Sequence, residues 1–246
     1  MALHPLLPAP PPLPDLLARG HTALFLDFDG TLVAIADGPD AIAVPGGLAG
    51  GLQRLAARLD GALALVSGRS ISNLHQFLGP LPLHIAGSHG GHVLDAQGEV
   101  LSGGRPLPDQ AIEEMAAFAA DLGLLLERKA HGAALHYRAV PELKEAAHDF
   151  AQGIAQQYGL ARKSGKCVIE LVWPGADKGG AVELLAARVP FSGALPVFIG
   201  DDVTDEDGFA ACQRLGGFGI AVGERRSAAA RYSLESVKDV HAWLEL

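Results

Sequence analysis

Two aspartates, Asp27 and Asp29, stand two positions apart where a short apolar run ends at Gly30. Side chains at this spacing on a strand lie on the same face, so both carboxylates can enter one site. Acidic groups at the carboxyl end of a parallel strand lie where open α/β sheets bind their ligands. A polar strand end that caps a turn would show the same pattern, so this pair alone does not identify a reaction.

Two further segments carry groups that suit a phosphate. Ser67, Gly68 and Arg69 follow a second apolar run and open a helical segment, which favours either phosphate oxygens or a simple serine N-cap. Lys178 stands at the start of another helix, where the helix dipole disfavours a cation unless the cation faces an anion. Beside the first aspartate pair, Thr31 offers a hydroxyl and an amide.

A third apolar run is followed by an acid-rich segment, with Asp201, Asp202, Asp205 and Glu206 inside six residues. An acidic helix start is one explanation, because the helix dipole favours anions there. If this segment meets Asp27, however, the carboxylates repel one another unless a cation is bound. Ligands that are all oxygen call for a hard ion, and a phosphate substrate favours Mg²⁺.

These groups need a scaffold, and the apolar pattern supplies one. Compact apolar runs predict strands that alternate with segments of helical periodicity, which is typical of a parallel sheet covered on both faces. The predicted strands cover residues 23–28, 62–66, 196–199 and 218–222, and the predicted helices cover residues 48–59, 70–78 and 205–215. We therefore predict an α/β fold with a Rossmann-like parallel-sheet core.

The middle of the chain has a different order of elements. It reads as helix 109–122, strands 124–127 and 133–137, helix 141–158 and strand 168–172, which is an α+β arrangement. We predict an inserted cap domain over residues 105–174, with the core formed by residues 19–104 and 175–246. Residues 1–18 form a proline-rich arm, expected to be mobile or to lie on the surface, although a partner-binding motif is the alternative.

Composition limits the class of protein. The chain has 246 residues, 49% apolar positions and a formal charge of −9, which disfavours disorder and a nucleic-acid partner. No apolar run reaches the roughly 18 residues that cross a bilayer. Its two cysteines are too few for a disulfide framework or a thiolate zinc site. We expect a cytoplasmic protein with no membrane attachment.

The four motifs together resemble those of the haloacid-dehalogenase-like (HAD) phosphohydrolases. They occur in the family's order at residues 26–32, 66–69, 177–180 and 200–206. The resemblance implies that Asp27 is the nucleophile and forms an aspartyl-phosphate, and that Asp29 is the general acid and base. It implies further that Ser67 and Lys178 hold the phosphoryl oxygens, and the remaining phosphate-binding positions are Thr31, Gly68 and Arg69.

The same resemblance implies a magnesium site. In it, Mg²⁺ is bound by the carboxylates of Asp27 and Asp201 and by the backbone carbonyl of Asp29. Asp202 and Asp205 are expected to surround these ligands without binding the ion directly. The role of the metal fits phosphoryl transfer, in which charge neutralisation and in-line positioning supply most of the catalysis.

Within that superfamily the chain is similar to the trehalose-6-phosphate phosphatases, whose motifs match at residues 86–90, 134–138, 168–171 and 200–206. The resemblance implies a phosphoric monoester hydrolase of trehalose biosynthesis, with trehalose 6-phosphate as substrate and a trehalose-phosphate synthase as functional partner. The substrate-binding positions that it implies are His89, Gly90, Glu127, Lys129, Arg138, Lys166 and Glu170. Singly, each charged residue of the insert is better explained as a solvent-exposed charge, whereas the whole set in a cap of this type favours sugar contacts.

One departure from the family pattern concerns the substrate. The family usually has glutamate where this chain has His92. This difference bears on the identity of the substrate sugar and not on the phosphatase reaction. Another sugar phosphate, such as sucrose phosphate or mannosyl-3-phosphoglycerate, is the first alternative. A non-catalytic sugar-phosphate sensor or regulator is the second, but such a protein would be expected to lose Asp27, Asp29 or Lys178.

Overall fold

The fold is described from a computed structural model, and the description covers residues 7–35, 42–103, 106–129, 131–165 and 167–246. The chain divides into two compact units. The first unit combines Met1–Leu101 with Asp177–Leu246, and the second unit is Ser102–Ala176. No helix in the described ranges is long and apolar enough to cross a membrane.

The first unit contains an eight-stranded sheet and six helices among its described residues. Its strands are β1 (Thr22–Leu26), β2 (Leu63–Val66), β3 (His84–Gly87), β4 (His92–Leu94), β5 (Val100–Gly103), β10 (Leu195–Gly200), β11 (Phe218–Val222) and β12 (Ala230–Leu234). Its helices are α1 (Leu13–Arg19), α2 (Leu48–Arg58), α3 (Ile71–Leu78), α6 (Lys178–Ala186), α7 (Glu206–Arg214) and α8 (Val237–Leu244).

The strands of this sheet lie in the order β12-β11-β10-β1-β2-β3-β4-β5. The six from β12 to β3 are parallel to their neighbours, and β4 is antiparallel to β3. Every residue of β1, β2 and β11 is buried, as expected for parallel strands that helices cover on both faces. The predicted Rossmann-like α/β core is confirmed.

β1 lies at the centre of this sheet, with β10 on one side and β2 on the other. Because all three strands run in the same direction, the residues that follow them meet at one edge of the sheet. That edge therefore receives the chain after Leu26, after Val66 and after Gly200, the three segments whose side chains suit phosphate chemistry.

The second unit is a four-stranded antiparallel sheet with two α-helices among its described residues. Its strands are β6 (Leu125–Lys129), β7 (Gly132–His136), β8 (Ala161–Gly165) and β9 (Val168–Val172), in the order β6-β7-β9-β8, and its helices are α4 (Asp109–Leu122) and α5 (Lys144–Tyr158). Alternate strand residues, including Leu135, Ile169 and Leu171, join helix residues such as Met115 and Ile154 in a separate apolar core. The other face of the sheet is left for polar side chains.

Part of the proline-rich arm packs against the first unit. The carbonyl of Pro8 accepts a hydrogen bond from the amide of Ser233 in β12 at 3.0 Å. The carbonyl of Pro11 accepts one from the indole of Trp243 in α8 at 2.8 Å. The helix α1 begins within the predicted arm, and its Leu13 is fully buried. Residues 8 and 11 of the arm thus bind β12 and α8, and Leu13 and Leu16 join the core of the first unit.

Candidate active site

A buried ion-pair cluster lies at the carboxyl edge of the central strands. Asp27 follows β1, and its Oδ1 accepts a hydrogen bond from the Lys178 ammonium at 2.8 Å. The same ammonium contacts Oδ1 of Asp205 at 2.5 Å. All three side chains are almost completely buried, at 6%, 3% and 0% exposure in that order. Burial of this kind leaves charged groups stable only when they are paired, as they are here.

Lys178 reaches this cluster because it is the first residue of α6. Asp177 caps the helix by accepting a hydrogen bond from the Gly180 amide at 2.7 Å. The helix dipole repels a cation at this end, so the two carboxylates must supply the compensating charge. Burial on its own lowers the pKa of the Lys178 ammonium, but the charges of Asp27 and Asp205 outweigh it and the pKa is raised. The lysine is therefore held in its charged form.

Asp201 completes the acidic cluster from the end of β10. Its Oδ1 is buried and has no hydrogen-bond partner among the described residues. Gly30, at φ +75°, allows this approach, because a Cβ there would lie 2.1 Å from Oδ2 of Asp201. Burial, followed by repulsion from Asp205, raises the pKa of Asp201 to about 6. Burial also raises the pKa of Asp27 well above its usual value, and Lys178 offsets this only in part.

These carboxylates form a candidate cation site. One oxygen each from Asp27, Asp201 and Asp205 lie within 4.8 Å of one another. Three carboxylates beside one ammonium leave two negative charges, which a divalent cation would neutralise. The oxygens of Asp205 are already used by Lys178 and by the Asp202 amide. The unpartnered oxygen of Asp201, together with Asp27, is therefore the best provision for a hard cation.

The side chain of Asp29 is paired with Arg69. Its two oxygens accept hydrogen bonds from Nε and Nη2 of Arg69 at 2.6 and 2.7 Å. The guanidinium is anchored in turn by Oδ1 of Asn73 at 2.7 Å and lies over the ring of Phe77. Arg69 was predicted to bind phosphate; in the structure its guanidinium faces the predicted acid–base residue instead.

A cavity of about 400 Å³ opens onto the cluster. The predicted residues that line it are Asp27, Asp29, Gly68, His89, Lys178, Asp201 and Asp202, and Ile35 and Thr204 line it without having been predicted. Two predicted phosphate-binding residues, Ser67 and Thr31, are fully buried and are not among the lining residues. The Ser67 hydroxyl accepts a hydrogen bond from the Arg69 amide at 3.2 Å.

His89 enters the cavity through a turn that depends on close backbone approach. His89 itself has φ +56°, and Gly90 has φ +94°. A Cβ on Gly90 would lie 2.2 Å from the Asp177 carbonyl oxygen, and a Cβ on Gly68 would lie 2.6 Å from the His89 ring. Glycine is thus required at both positions for the histidine to stand beside the start of α6.

The second unit brings most of the other predicted substrate residues together. On its helix-free sheet face, Ala134 lies in register between Glu127 and Glu170. The ammonium of Lys129 contacts Oε1 of Glu170 at 2.9 Å, and His136 contacts Oε2 of Glu127 at 2.8 Å. These charged side chains surround a small central residue, which leaves space for a polar ligand.

Two further predicted substrate residues belong to this unit, Arg138 and Lys166. Arg138 is exposed beyond the end of β7, and Lys166 lies outside the described residues. His136 was not predicted as a site residue, although it belongs to the quoted segment 134–138. Its signal was strand alternation, because it stands two residues from Ala134 on the same face.

The comparisons with known proteins agree with this geometry. A family model described as trehalose-phosphatase matches residues 25–238. Trehalose-6-phosphate phosphatase of Escherichia coli is 40% identical over 237 residues, which are 95% of this chain and 88% of that protein.

Solved structures show the same relationship. A trehalose-6-phosphate phosphatase from Aspergillus fumigatus aligns with a TM-score of 0.74 at 25% identity, covering 97% of this chain and 98% of that one. A HAD-superfamily phosphatase from Bacteroides thetaiotaomicron shares the fold, with a TM-score of 0.67 at 15% identity over 92% of this chain and 93% of that one. From the family match, the E. coli relative and the fold, we conclude that this chain belongs to the trehalose-phosphatase family.

Proposed function

We propose that this protein hydrolyses trehalose 6-phosphate to trehalose and inorganic phosphate, with Mg²⁺ as cofactor. The observation that carries the proposal is the buried cluster in which Lys178 bridges Asp27 and Asp205 beside the unpartnered Asp201 oxygen. Family membership supports the sugar phosphate. The names of the E. coli and A. fumigatus relatives support trehalose 6-phosphate in particular.

Asp27 is proposed as the nucleophile. Its carboxylate oxygen attacks phosphorus, the bond from phosphorus to the sugar oxygen breaks, and an aspartyl-phosphate forms. Lys178 keeps this carboxylate in place and offers positive charge to the phosphoryl oxygens. Water then attacks the aspartyl-phosphate, releases phosphate and restores Asp27.

Asp29 is proposed as the acid and base of the two half-reactions. It gives its proton to the sugar oxygen as that group leaves, and it later takes a proton from the attacking water. Both of its oxygens accept hydrogen bonds from Arg69, so Asp29 must give up part of this contact to reach the sugar oxygen or the attacking water.

The Mg²⁺ ion would be held by Asp27 and Asp201, and by the carbonyl of Asp29 if the family pattern is followed. When bound, it would neutralise negative charge on the transferring phosphoryl group. Asp205 is proposed to act on Lys178 rather than on the ion, since both of its oxygens already accept hydrogen bonds. Asp202 caps the turn after β10 by accepting from the Val203 amide at 2.7 Å.

The second unit is proposed to act as the specificity cap. Glu127, Lys129 and Glu170 offer donors and acceptors that match the vicinal hydroxyls of a sugar. The ion pair between Lys129 and Glu170 and the hydrogen bond between His136 and Glu127 orient these groups. Arg138 and Lys166 remain predictions for the same role.

We propose a cytoplasmic location, which the free cysteines Cys167 and Cys212 support because reducing compartments keep thiols unpaired. A trehalose-phosphate synthase is the proposed functional partner, since glycosyl transfer of that kind would supply the substrate.

The decisive experiment measures phosphate release from trehalose 6-phosphate, sucrose phosphate and mannosyl-3-phosphoglycerate, each with Mg²⁺ and with excess EDTA. We expect trehalose 6-phosphate to be turned over with a kcat/KM at least about tenfold above the others, and only with Mg²⁺. A preference for another ester would replace the substrate and leave the phosphatase assignment intact. Activity that persists in excess EDTA would contradict the metal site, and no hydrolysis of any ester would favour the sensor alternative.

A further inference from the structure

Glu206 belongs to the acid-rich segment but takes no part in the cavity, and the proposed reaction gives it no role. It is the first residue of α7 and its side chain faces the loop between β11 and β12. Its Oε2 accepts hydrogen bonds from the Ser227 hydroxyl and from the amides of Ala228 and Ala229, at 3.0, 3.1 and 2.9 Å. One carboxylate oxygen thus gathers three donors of this loop.

The other oxygen of Glu206 holds Arg225 in the same loop. Nη2 of Arg225 contacts Oε1 of Glu206 at 2.7 Å. The guanidinium also donates to the backbone carbonyls of Asp201, through Nε at 2.9 Å, and Asp202, through Nη2 at 2.9 Å. A planar guanidinium that donates along its edge to two consecutive carbonyls fixes the orientation of the peptides between them.

Arg225 thus holds the turn after β10, and this turn carries Asp201 of the acidic cluster. On the other side of the turn, the amide of Asp202 donates to Oδ2 of Asp205 at 2.8 Å. The turn is therefore held by its amide from within the cluster and by its carbonyls from the β11–β12 loop. Asp201 stands at this point, and its Oδ1 is buried without a hydrogen-bond partner among the described residues.

We propose that Arg225, oriented by Glu206, is a positioning residue that presents the Asp201 carboxylate for Mg²⁺. The inference rests on the proposed Mg²⁺-dependent activity, but it concerns residues outside the cavity. Groups that orient metal ligands typically change metal affinity by about 10- to 100-fold when they are replaced. The effect should therefore appear in Mg²⁺ binding and leave substrate recognition unchanged.

The test compares Arg225→Met and Arg225→Lys with Arg214→Met in the full chain. Arg214 is a matched control, because it pairs with Glu183 at 2.6 Å from the same helix that begins at Glu206. Mg²⁺ affinity is measured without substrate, by calorimetric titration and by the Mg²⁺ dependence of the thermal midpoint. The KM for trehalose 6-phosphate is then measured at saturating Mg²⁺.

For Arg225→Met we expect Mg²⁺ affinity to fall at least about tenfold, with KM within about twofold of the wild-type value. Arg225→Lys should recover part of the affinity, because an ammonium keeps the charge but lacks the planar edge. Arg214→Met should change neither quantity. Unchanged Mg²⁺ affinity in a folded Arg225→Met protein would overturn the inference.

A second variant covers the case in which Arg225→Met does not fold. Glu206→Gln keeps the shape of the side chain and weakens its hold on Arg225, so it should lower Mg²⁺ affinity in the same direction. A folded Glu206→Gln protein with wild-type Mg²⁺ affinity would likewise contradict the proposal. If the wild-type protein shows no saturable Mg²⁺ binding, both the proposed function and this inference fail. If the wild-type protein binds Mg²⁺ and the variants bind it equally well, only this inference fails.

Discussion

The Lys178 ammonium, which also pairs with Asp205, holds the carboxylate of Asp27 in place. Asp27 is buried beside β1, and its amide donates to the Ile199 carbonyl at 2.9 Å, so its position is set by the sheet as well as by the lysine. An attacking group that is already oriented avoids the entropy of being placed at each turnover.

Asp27→Asn should lower turnover of trehalose 6-phosphate by at least about 10³-fold, or about 4 kcal/mol of activation free energy. The amide keeps the size of the side chain but cannot form an aspartyl-phosphate. The measurement is steady-state phosphate release, with circular dichroism as the control for folding. Turnover within about tenfold of the wild type would contradict a covalent mechanism through this residue.

The acidic cluster should also make the stability of the metal-free protein depend on pH. The pKa of Asp201 is raised to about 6 in the native state, so between about pH 4 and 6 the native protein holds more protons than the unfolded chain. Its contribution to stability therefore falls as pH rises through this window. Asp201→Asn removes the cost of burying a negative charge and keeps the size and shape of the side chain.

At about pH 7.5 in EDTA, we expect Asp201→Asn to raise the free energy of unfolding by about 1–2 kcal/mol, after allowance for screening by solvent. The two proteins should converge near pH 4. Urea unfolding at several pH values checks this, and added Mg²⁺ should stabilise the wild type more than the variant. A variant less stable than the wild type at high pH would contradict the repulsion.

Along β6 of the second unit, the side chains proposed to bind substrate alternate with side chains on the helix-covered face of the sheet. Glu127 and Lys129 lie on the helix-free face of β6, whereas Arg128, between them, is on the opposite face. Arg128→Ala therefore serves as a control for the loss of a charge from the same strand.

Glu170→Ala should lower kcat/KM for trehalose 6-phosphate by roughly 30- to 1,000-fold, equivalent to about 2–4 kcal/mol, because it removes an acceptor and leaves Lys129 unpaired. Hydrolysis of p-nitrophenyl phosphate should stay within about twofold, since this small ester has no sugar to recognise. Arg128→Ala should change neither activity. Equal losses with both esters in Glu170→Ala would show that the assigned recognition role is wrong.

At the scale of the whole molecule, residues 7–11 of the arm lie against the edge strand β12 and the helix α8. Leu7, Pro8 and Pro11 offer carbonyls to Ser233 and Trp243, on an edge strand and on the last helix. An edge strand otherwise presents unpaired backbone groups to other chains. The arm therefore covers this edge from residues distant in sequence.

Removal of residues 1–11 should lower the free energy of unfolding by about 1–3 kcal/mol, since hydrogen bonds of this kind contribute about 1 kcal/mol each. Trp243→Phe, which removes only the indole donor to Pro11, should cost about 1 kcal/mol. Urea unfolding measures both. An unchanged midpoint in the truncated chain would contradict a stabilising role for the arm.

Local pattern was enough for several long helices and compact apolar strands. The helix predicted at residues 109–122 and the strands predicted at residues 168–172 and 218–222 match α4, β9 and β11 at both ends. Long helical periodicity and compact apolar runs are local signals, so they need no knowledge of the fold. The parallel direction of the core strands also followed, because alternating strands and helices have few ways to pack.

The short strands β3, β4, β5, β8 and β12 were not predicted. Most described side chains of β4, β8 and β12 are partly buried or exposed, and β12 pairs along β11 with an irregular register at Gly219 and Ile220. Such strands form because a neighbouring strand offers its backbone. A single sequence does not display that neighbour, and intrinsic β-propensity is too weak to replace it.

The same distinction applies to the site. Residue type and spacing predicted that Asp27 and Asp201 follow strands of one parallel sheet, whose ends share an edge, and that Lys178 faces an anion. The family resemblance assigned all three to one site. The pairing of Asp29 with Arg69 and the bridge from Arg225 to the carbonyls of the acidic turn arose from long-range packing instead. Those partners are 40 and 24 residues apart in sequence, so their contact depends on how the sheet and helices bring separate loops together.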